Sequence, residues 1–237
     1  MQKRVDLNKI LNLLFTGGVS IREAARISGC TFKTAYLKYI WLGERSKAEV
    51  LSRNLKSSEL YIDEQLTIEH TKLKPLSILL AVNENRHIVG VRVAKVKAFG
   101  HLADISLKKY GPRPNEVKEK MQDLLKQLAS HLEGEVSVIK TDDKKDYRPA
   151  IKQHFPRAVH QVFKADEKKE KTREERYLNK NKHKRDPLFN VNHICAMLRD
   201  NLKRLTRRSW CTTKKPAHLE LGLYMFMAKV NGYEILR

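Results

Sequence analysis

The sequence predicts an α+β protein, an N-terminal helix-turn-helix followed by a mixed five-stranded sheet with helices. Three observations carry this. Apolar residues recur at helical spacing through the first fifty positions. From residue 60 the period shortens to that of strands. Beyond residue 114, amphipathic helical stretches alternate with short β runs.

Residues 5–15 place Val5, Leu7, Ile10, Leu11, Leu14 and Phe15 at helical spacing, and Gly17-Gly18 ends the run. Ser20, with Glu23 three residues on, forms a capping box for a second helix that stops at Gly29. Thr31 caps a third helix over 31–42, with Ala35, Tyr39 and Leu42 on its apolar face and Phe32 at its start. In such a helix, turn, helix pattern the later helix enters a DNA major groove. Thr31, Lys33, Thr34 and Lys38 are then candidates for phosphate and base-edge contacts. Residues 1–53 hold ten basic and four acidic residues, a net of +6. A plain three-helix packing unit is the alternative; charge and helix order together favour DNA.

The sheet begins at 59–64, which reads as a strand end carrying carboxylates, Asp63 among them. Residues 76–82 form a short apolar run, Asn83-Glu84-Asn85 a turn, and 87–97 an alternating strand. A helix follows over 115–132 through Val117, Met121, Leu124, Leu125 and Leu128, closed by Gly134. Next come a β run at 136–139 leading to Lys140-Thr141-Asp142-Asp143, a helix over 146–154, and a fifth strand at 158–163. Residues 164–186 hold ten basic and six acidic residues and almost no apolar ones. They read as a basic insertion that tracks DNA or is a solvated surface segment. After Pro187, a helix has Ile194, Met197, Leu198, Leu202 and Leu205 on its apolar face, with Asn192, Ala196, Arg199 and Lys203 on the opposite stripe. Seven basic residues and one acid fall between 199 and 215. Arg204, Arg207, Arg208, Lys214 and Lys215 join Arg199 and Lys203 as phosphate-contact candidates. Residues 216–230 carry Leu219, Leu223, Met227 and Val230 in helical phase, as core packing would. Two units are expected, a helix-turn-helix domain over 1–53 and a second domain over 58–237.

Composition narrows the function. Lys and Arg total 48 against 27 acids, a formal charge of +21 in 237 residues, which points to a polyanionic partner. No run approaches the length of a membrane span, and no signal-peptide core follows Met1. Cys30, Cys195 and Cys211 are isolated and lack CxxC spacing, so they read as reduced and mostly buried thiols rather than disulfides or zinc ligands. No glycine-rich nucleotide loop is present. The expected compartment is the cytoplasm, in association with the nucleoid.

The order β-β-β-α-β-α-β with aspartates on the first and fourth strands is the ribonuclease-H-like arrangement. There the first and fourth strands are neighbours, and Asp63 and Asp142 would face one another across about 5 Å. Such a pair can hold one or two Mg²⁺ (or Mn²⁺) ions, which activate a hydroxyl nucleophile and stabilise the leaving oxygen of a phosphodiester. Alone, each aspartate would read as a strand-end cap. Glu64 and Asp143 are adjacent competitors that strand alternation points to the opposite face.

These residues resemble the transposases of the bacterial insertion-sequence-one family, a branch of the DDE recombinases, over nearly the whole chain. Ser20 to Arg26 with Gly29 and Thr34 is similar to that family's helix-turn-helix. Tyr61-Ile62-Asp63-Glu64 is similar to its first catalytic strand, and Thr141-Asp142-Asp143 with Tyr147 to its second, usually Thr-Asp-Gly. The tail resemblance lies in Leu198-Arg199, in 202–208 and in Thr213-Lys214-Lys215. The family's third acid is a Glu seven residues before the Arg of Leu-Arg, and here that place is Asn192. An Asn carbonyl can bind Mg²⁺ but brings no charge and accepts no proton at neutral pH. Related transposase groups carry Asn there. Asp200, eight residues on, lies about 12 Å further along the helix, and Asp143 in place of Gly is a possible compensating carboxylate. The resemblance implies a ribonuclease-H-like catalytic domain with Asp63, Asp142 and Asn192 as catalytic metal ligands. It implies double-stranded DNA partners, both terminal inverted repeats and target, and a homodimer or larger synaptic oligomer. The Asn192 replacement keeps open a catalytically inactive or domesticated DNA-binding protein, and a nuclease of the same fold is a third reading.

Overall fold

The computed structural model describes residues 5–164, 186–206 and 210–236. Most of the basic insertion, residues 165–185, and the candidates Arg207 and Arg208 lie outside the described residues.

Three helices open the chain: α1 (Val5–Phe15), α2 (Ile21–Ile27) and α3 (Phe32–Leu51). The Ser20 hydroxyl accepts the Glu23 N–H at 3.2 Å, as expected of the cap. The Glu23 carboxylate pairs with Arg26 at 2.6 Å, and no return bond to Ser20 is found, so the capping box is half made. Thr31 caps α3 by accepting the Thr34 N–H at 3.1 Å. The third helix runs to Leu51, not Leu42. Gly43 lies inside the helix at a close crossing: a Cβ there would stand 2.6 Å from Leu221 Cβ. Beyond it Ser46 and Val50 continue the buried stripe of Ala35, Tyr39 and Leu42.

A two-residue strand, β1 (Leu55–Lys56), leads to β2 (Glu59–Glu69), β3 (Thr71–Asn83) and β4 (Ile88–Lys95), which form an antiparallel meander. The first long strand does not end at Glu64. Gln65 to Ile68 go on pairing with Pro75 to Ile78, so Asp63 sits in mid-strand. The Asn83 turn is tied by its own side chain, whose Oδ1 accepts the N–H groups of Asn85 and His87 at 3.1 and 2.8 Å. After β4 come α4 (Ala103–Tyr110), a short helix with no clear apolar period, and α5 (Val117–His131). The chain continues through β5 (Leu132–Glu133), β6 (Val138–Asp142), α6 (Tyr147–His154), β7 (Val159–Phe163), α7 (Phe189–Asn201) and α8 (Pro216–Val230).

The result is a mixed α+β fold around a five-stranded sheet of order β4-β3-β2-β6-β7, with β6 and β7 parallel to β2. Strands β1 and β5 make a separate two-residue parallel ladder. Residues of β3 alternate between two cores, which is why 76–82 is apolar without a break. Leu79 and Ala81 join Leu60, Ile62, Leu124, Leu128 and Tyr147 on the α5–α6 face. Leu76, Ile78, Leu80 and Val82 join residues of α7 and α8 on the other. Helix α8 is buried all round from Leu221 to Ala228 because it lies between α3 and β4.

Leu11, Phe15, Ala24, Tyr39 and Leu42 belong to that same second core. The division into 1–53 and 58–237 is therefore a division by element type, and both parts share one buried cluster. Of the three cysteines only Cys195 is fully buried, whereas Cys30 and Cys211 are half-buried.

Candidate active site and nucleic-acid face

Two carboxylates meet on neighbouring parallel strands. The β2–β6 register runs from Glu59 opposite Val138 to Ile62 opposite Thr141, and one further step sets Asp63 beside Asp142. Leu60 and Ile62 fill the α5–α6 core. Alternation thus puts Asp63 with Tyr61 on the opposite face, toward α7. Burial pushes the Asp63 carboxyl above the usual range. The Glu64 N–H, donated to Asp63 Oδ1 at 2.7 Å, works against that, and the Asp142 charge adds to it. Asp142 is raised as well, first by burial, with the Lys144 ammonium opposing and the Glu64 carboxylate reinforcing the shift. Its Oδ1 is buried and has no hydrogen-bond partner.

That orphaned oxygen is what a cation-binding carboxylate presents before its ion arrives, since a buried unpaired acceptor otherwise costs about 1–3 kcal/mol. Among the described residues no three carboxylate, imidazole or thiol groups converge as a metal centre. Asp63 and Asp142 offer two carboxylates from neighbouring strands, one with a buried unpartnered oxygen, a donor type that suits a divalent cation.

Glu64 lies on the other face, as alternation requires, and is more fully built in than either aspartate. Its carboxylate accepts the Tyr147 hydroxyl at 3.1 Å and the Ser77 hydroxyl at 2.7 Å, and pairs with Lys144 at 3.0 Å. Lys144 sits just past the end of β6, where its charge also reaches Asp63 and Asp142. Sequence reading passes over Lys144 and Ser77; the only signal is the Asp-Asp-Lys-Lys run. Burial pushes the Tyr147 phenol far up, so it remains a hydrogen-bond donor at any working pH.

The charge of Asp143 adds to the upward shift of Asp142. Asp143 is exposed and turns to Arg148 and Lys164, at 3.8 and 3.5 Å. The Asn192 amide donates to Asp186 Oδ2 at 2.8 Å, while Asp186 Oδ1 accepts the Leu188 N–H near the start of α7. The α7 residue that senses Asp63 is Cys195, whose thiol is pushed up to about 12 by burial and then by that carboxylate. Asp200 is exposed near the end of the helix.

The basic candidates separate into two kinds. Lys33 is exposed at the start of α3, and Lys214 and Lys215 are exposed just before α8. Tyr36 stacks edge-on with His218 at 5.6 Å, and the Tyr39 hydroxyl donates to the His218 carbonyl at 2.7 Å, so the start of α3 and this basic turn adjoin. The remaining candidates are more engaged. Thr31 and Thr34 spend their hydroxyls on each other, 3.0 Å apart. The Lys38 ammonium lies 5.1 Å from the Trp41 ring centre. Arg204 covers the Tyr39 ring at 4.8 Å, a packing role that clamps the tail onto α3. Arg199 and Lys203 are half-buried.

No family model and no curated protein matches the chain. Its function is therefore argued from its residues and their geometry. Among the described residues, no helix is long and apolar enough to cross a membrane.

Proposed function

We propose that this chain is a DNA transposase with a helix-turn-helix and a ribonuclease-H-like catalytic domain, and that it cuts and joins insertion-sequence ends. The observation that carries the reading is the pairing of Asp63 with Asp142 on adjacent parallel strands, with Asp142 Oδ1 buried and unpartnered. A net charge of +21 supplies the attraction for DNA.

Asp63 and Asp142 hold Mg²⁺ or Mn²⁺, which when bound supplies activation of the attacking hydroxyl and neutralisation of the phosphodiester charge. Asn192 can offer only a neutral carbonyl. Glu64, fixed by Tyr147 and Ser77, holds the Lys144 ammonium at the edge of the site, where it offsets carboxylate charge. Residues at the start of α3 anchor duplex DNA, and joining two ends calls for a dimer or larger assembly.

Asn192, which brings no charge, together with the lack of a three-ligand metal group among the described residues, favours a second reading: a transposase-derived DNA-binding protein without catalysis. The test incubates the purified chain with the DNA flanking its own reading frame and Mg²⁺ or Mn²⁺. Cleaved ends and joined products that vanish in both Asp63→Ala and Asp142→Ala establish the transposase. Salt-sensitive DNA binding without products, even from pre-cut ends in Mn²⁺, establishes the second reading. Cleavage without joining marks a nuclease.

A further inference from the structure

The far end of β2 carries a second basic surface. From Asp63 to Glu69 is six strand residues, about 20 Å. There the His70 N–H donates to the Thr213 carbonyl at 2.8 Å, joining the β2–β3 turn to the loop before α8. The His70 ring meets Tyr110 of α4 edge-on at 6.2 Å, and the Lys74 and Lys109 ammoniums lie 4.3 and 5.6 Å from the Tyr110 ring centre. Three residues before Thr213, Trp210 is 101% exposed.

Helix α4 is held there without a core of its own. Ser106 is its one buried residue, and the Ser106 hydroxyl donates to the Leu73 carbonyl at 2.7 Å. The following strap is pinned by the mostly buried Arg113–Glu69 ion pair at 2.9 Å. Ile105, Leu107 and Tyr110 are left outward. Segments 70–74 and 97–113 together hold six Lys and Arg residues and one acid, Asp104. Large rings with lysines set around them are the pattern that receives unpaired bases on ring faces and phosphates on ammonium groups. Tyr110 ends α4 and Trp210 lies in the loop before α8, so the two rings do not belong to one continuous apolar helix face of the kind a lipid surface takes up.

We propose that this surface binds single-stranded DNA, with Tyr110 and Trp210 as stacking faces and Lys74, Lys109, Lys214 and Lys215 as phosphate contacts. The proposal rests on the reading of the chain as a DNA-acting protein and adds a strand-binding site distinct from the duplex contacts of α3.

The test measures affinity of the full chain for a labelled oligo-dT strand and for a duplex of equal length, by fluorescence anisotropy. Compared are wild type, Tyr110→Ala with Trp210→Ala, Lys109→Ala with Lys214→Ala, and Lys33→Ala. The aromatic double variant should lose roughly 5- to 100-fold in single-strand affinity, with less than about a threefold loss on duplex. The Lys33→Ala variant should do the reverse. In wild type, Trp210 emission should be quenched by oligo-dT, and the residual signal from Trp41 in Trp210→Phe should not respond. Single-strand affinity unchanged in the aromatic variant, or emission that oligo-dT leaves unquenched, overturns the proposal. So does binding to anionic vesicles that these substitutions abolish. Duplex binding without single-strand binding refutes this surface alone, whereas failure of both forms to bind refutes the DNA reading beneath it.

Discussion

Replacing Asp142 by Asn should stabilise the metal-free protein while removing its response to Mg²⁺. Paired strands are about 4.8 Å apart, so two ionised carboxylates on them repel by about 3 kcal/mol at an effective dielectric constant near 20. Asp142 is half-buried and Lys144 stands nearby, and this screening brings the figure down to about 1 kcal/mol. For a chain of this size that corresponds to about 2–4 °C in melting temperature. The pH dependence has a definite sign. Both aspartates have folded-state values raised above 3.8, so the native state binds more protons than the unfolded one. Their contribution is most favourable at low pH and is lost as pH rises from 3.8 through the raised values. Melting should be followed by scanning fluorimetry with EDTA and with Mg²⁺ across that range and at neutral pH. Wild type should gain stability from Mg²⁺ once the carboxylates are ionised, and Asp142→Asn should melt higher in EDTA and gain little. An Asn variant that melts lower in EDTA, or that responds to Mg²⁺ as wild type does, would refute the electrostatic account of the pair.

Three further substitutions test other parts of the structure. Lys144→Met removes the ammonium beside Asp63 and Asp142 and should tighten Mn²⁺ binding several-fold by calorimetry; an unchanged affinity would mean that its charge does not bear on the site. Gly43→Ala forces a Cβ to within 2.6 Å of Leu221 Cβ and should cost about 1–3 kcal/mol in urea unfolding, despite the better helix propensity of Ala. A neutral or stabilising result would show that α3 and α8 can separate at little cost. Asn231→Ala deletes the side chain that accepts the Ile88 N–H at 3.0 Å and donates to its carbonyl at 2.8 Å. It should cost about 1–3 kcal/mol and speed hydrogen exchange at Ile88, and unchanged exchange there would contradict the clamp.

What was legible in the sequence is what repeats locally. The stripes of α1 and α5, the unbroken apolar run of β3, and the neighbouring aspartates all follow from side-chain period and strand order. Helix α3 runs past its expected end at Leu42, and the approach of Leu221, far along the chain, explains the glycine at position 43 in mid-helix. The far half of β2, Gln65 to Glu69, does alternate polar with apolar residues, but its full extent is set by pairing with β3. Nonlocal partners account for the rest. Nothing in the tail predicts that Arg204 covers Tyr39, that Asn192 turns back to Asp186, or that Lys144 ties Glu64 to the site.

The shared core of α3 and α8 has a consequence for the order in which the chain can mature. The end of α3 and the start of α8 are separated by 165 residues, from Leu51 to Pro216. During synthesis, Tyr39, Leu42 and Gly43 wait with an uncovered apolar flank until the last helix leaves the ribosome. The opening helices therefore cannot reach their final stability as an early, self-sufficient unit, and closing so long a loop makes that last docking slow. A chain released before α8 keeps its basic surface yet lacks the helix that seals α3. Synthesis of α8 thus gates the final packing of the opening helices.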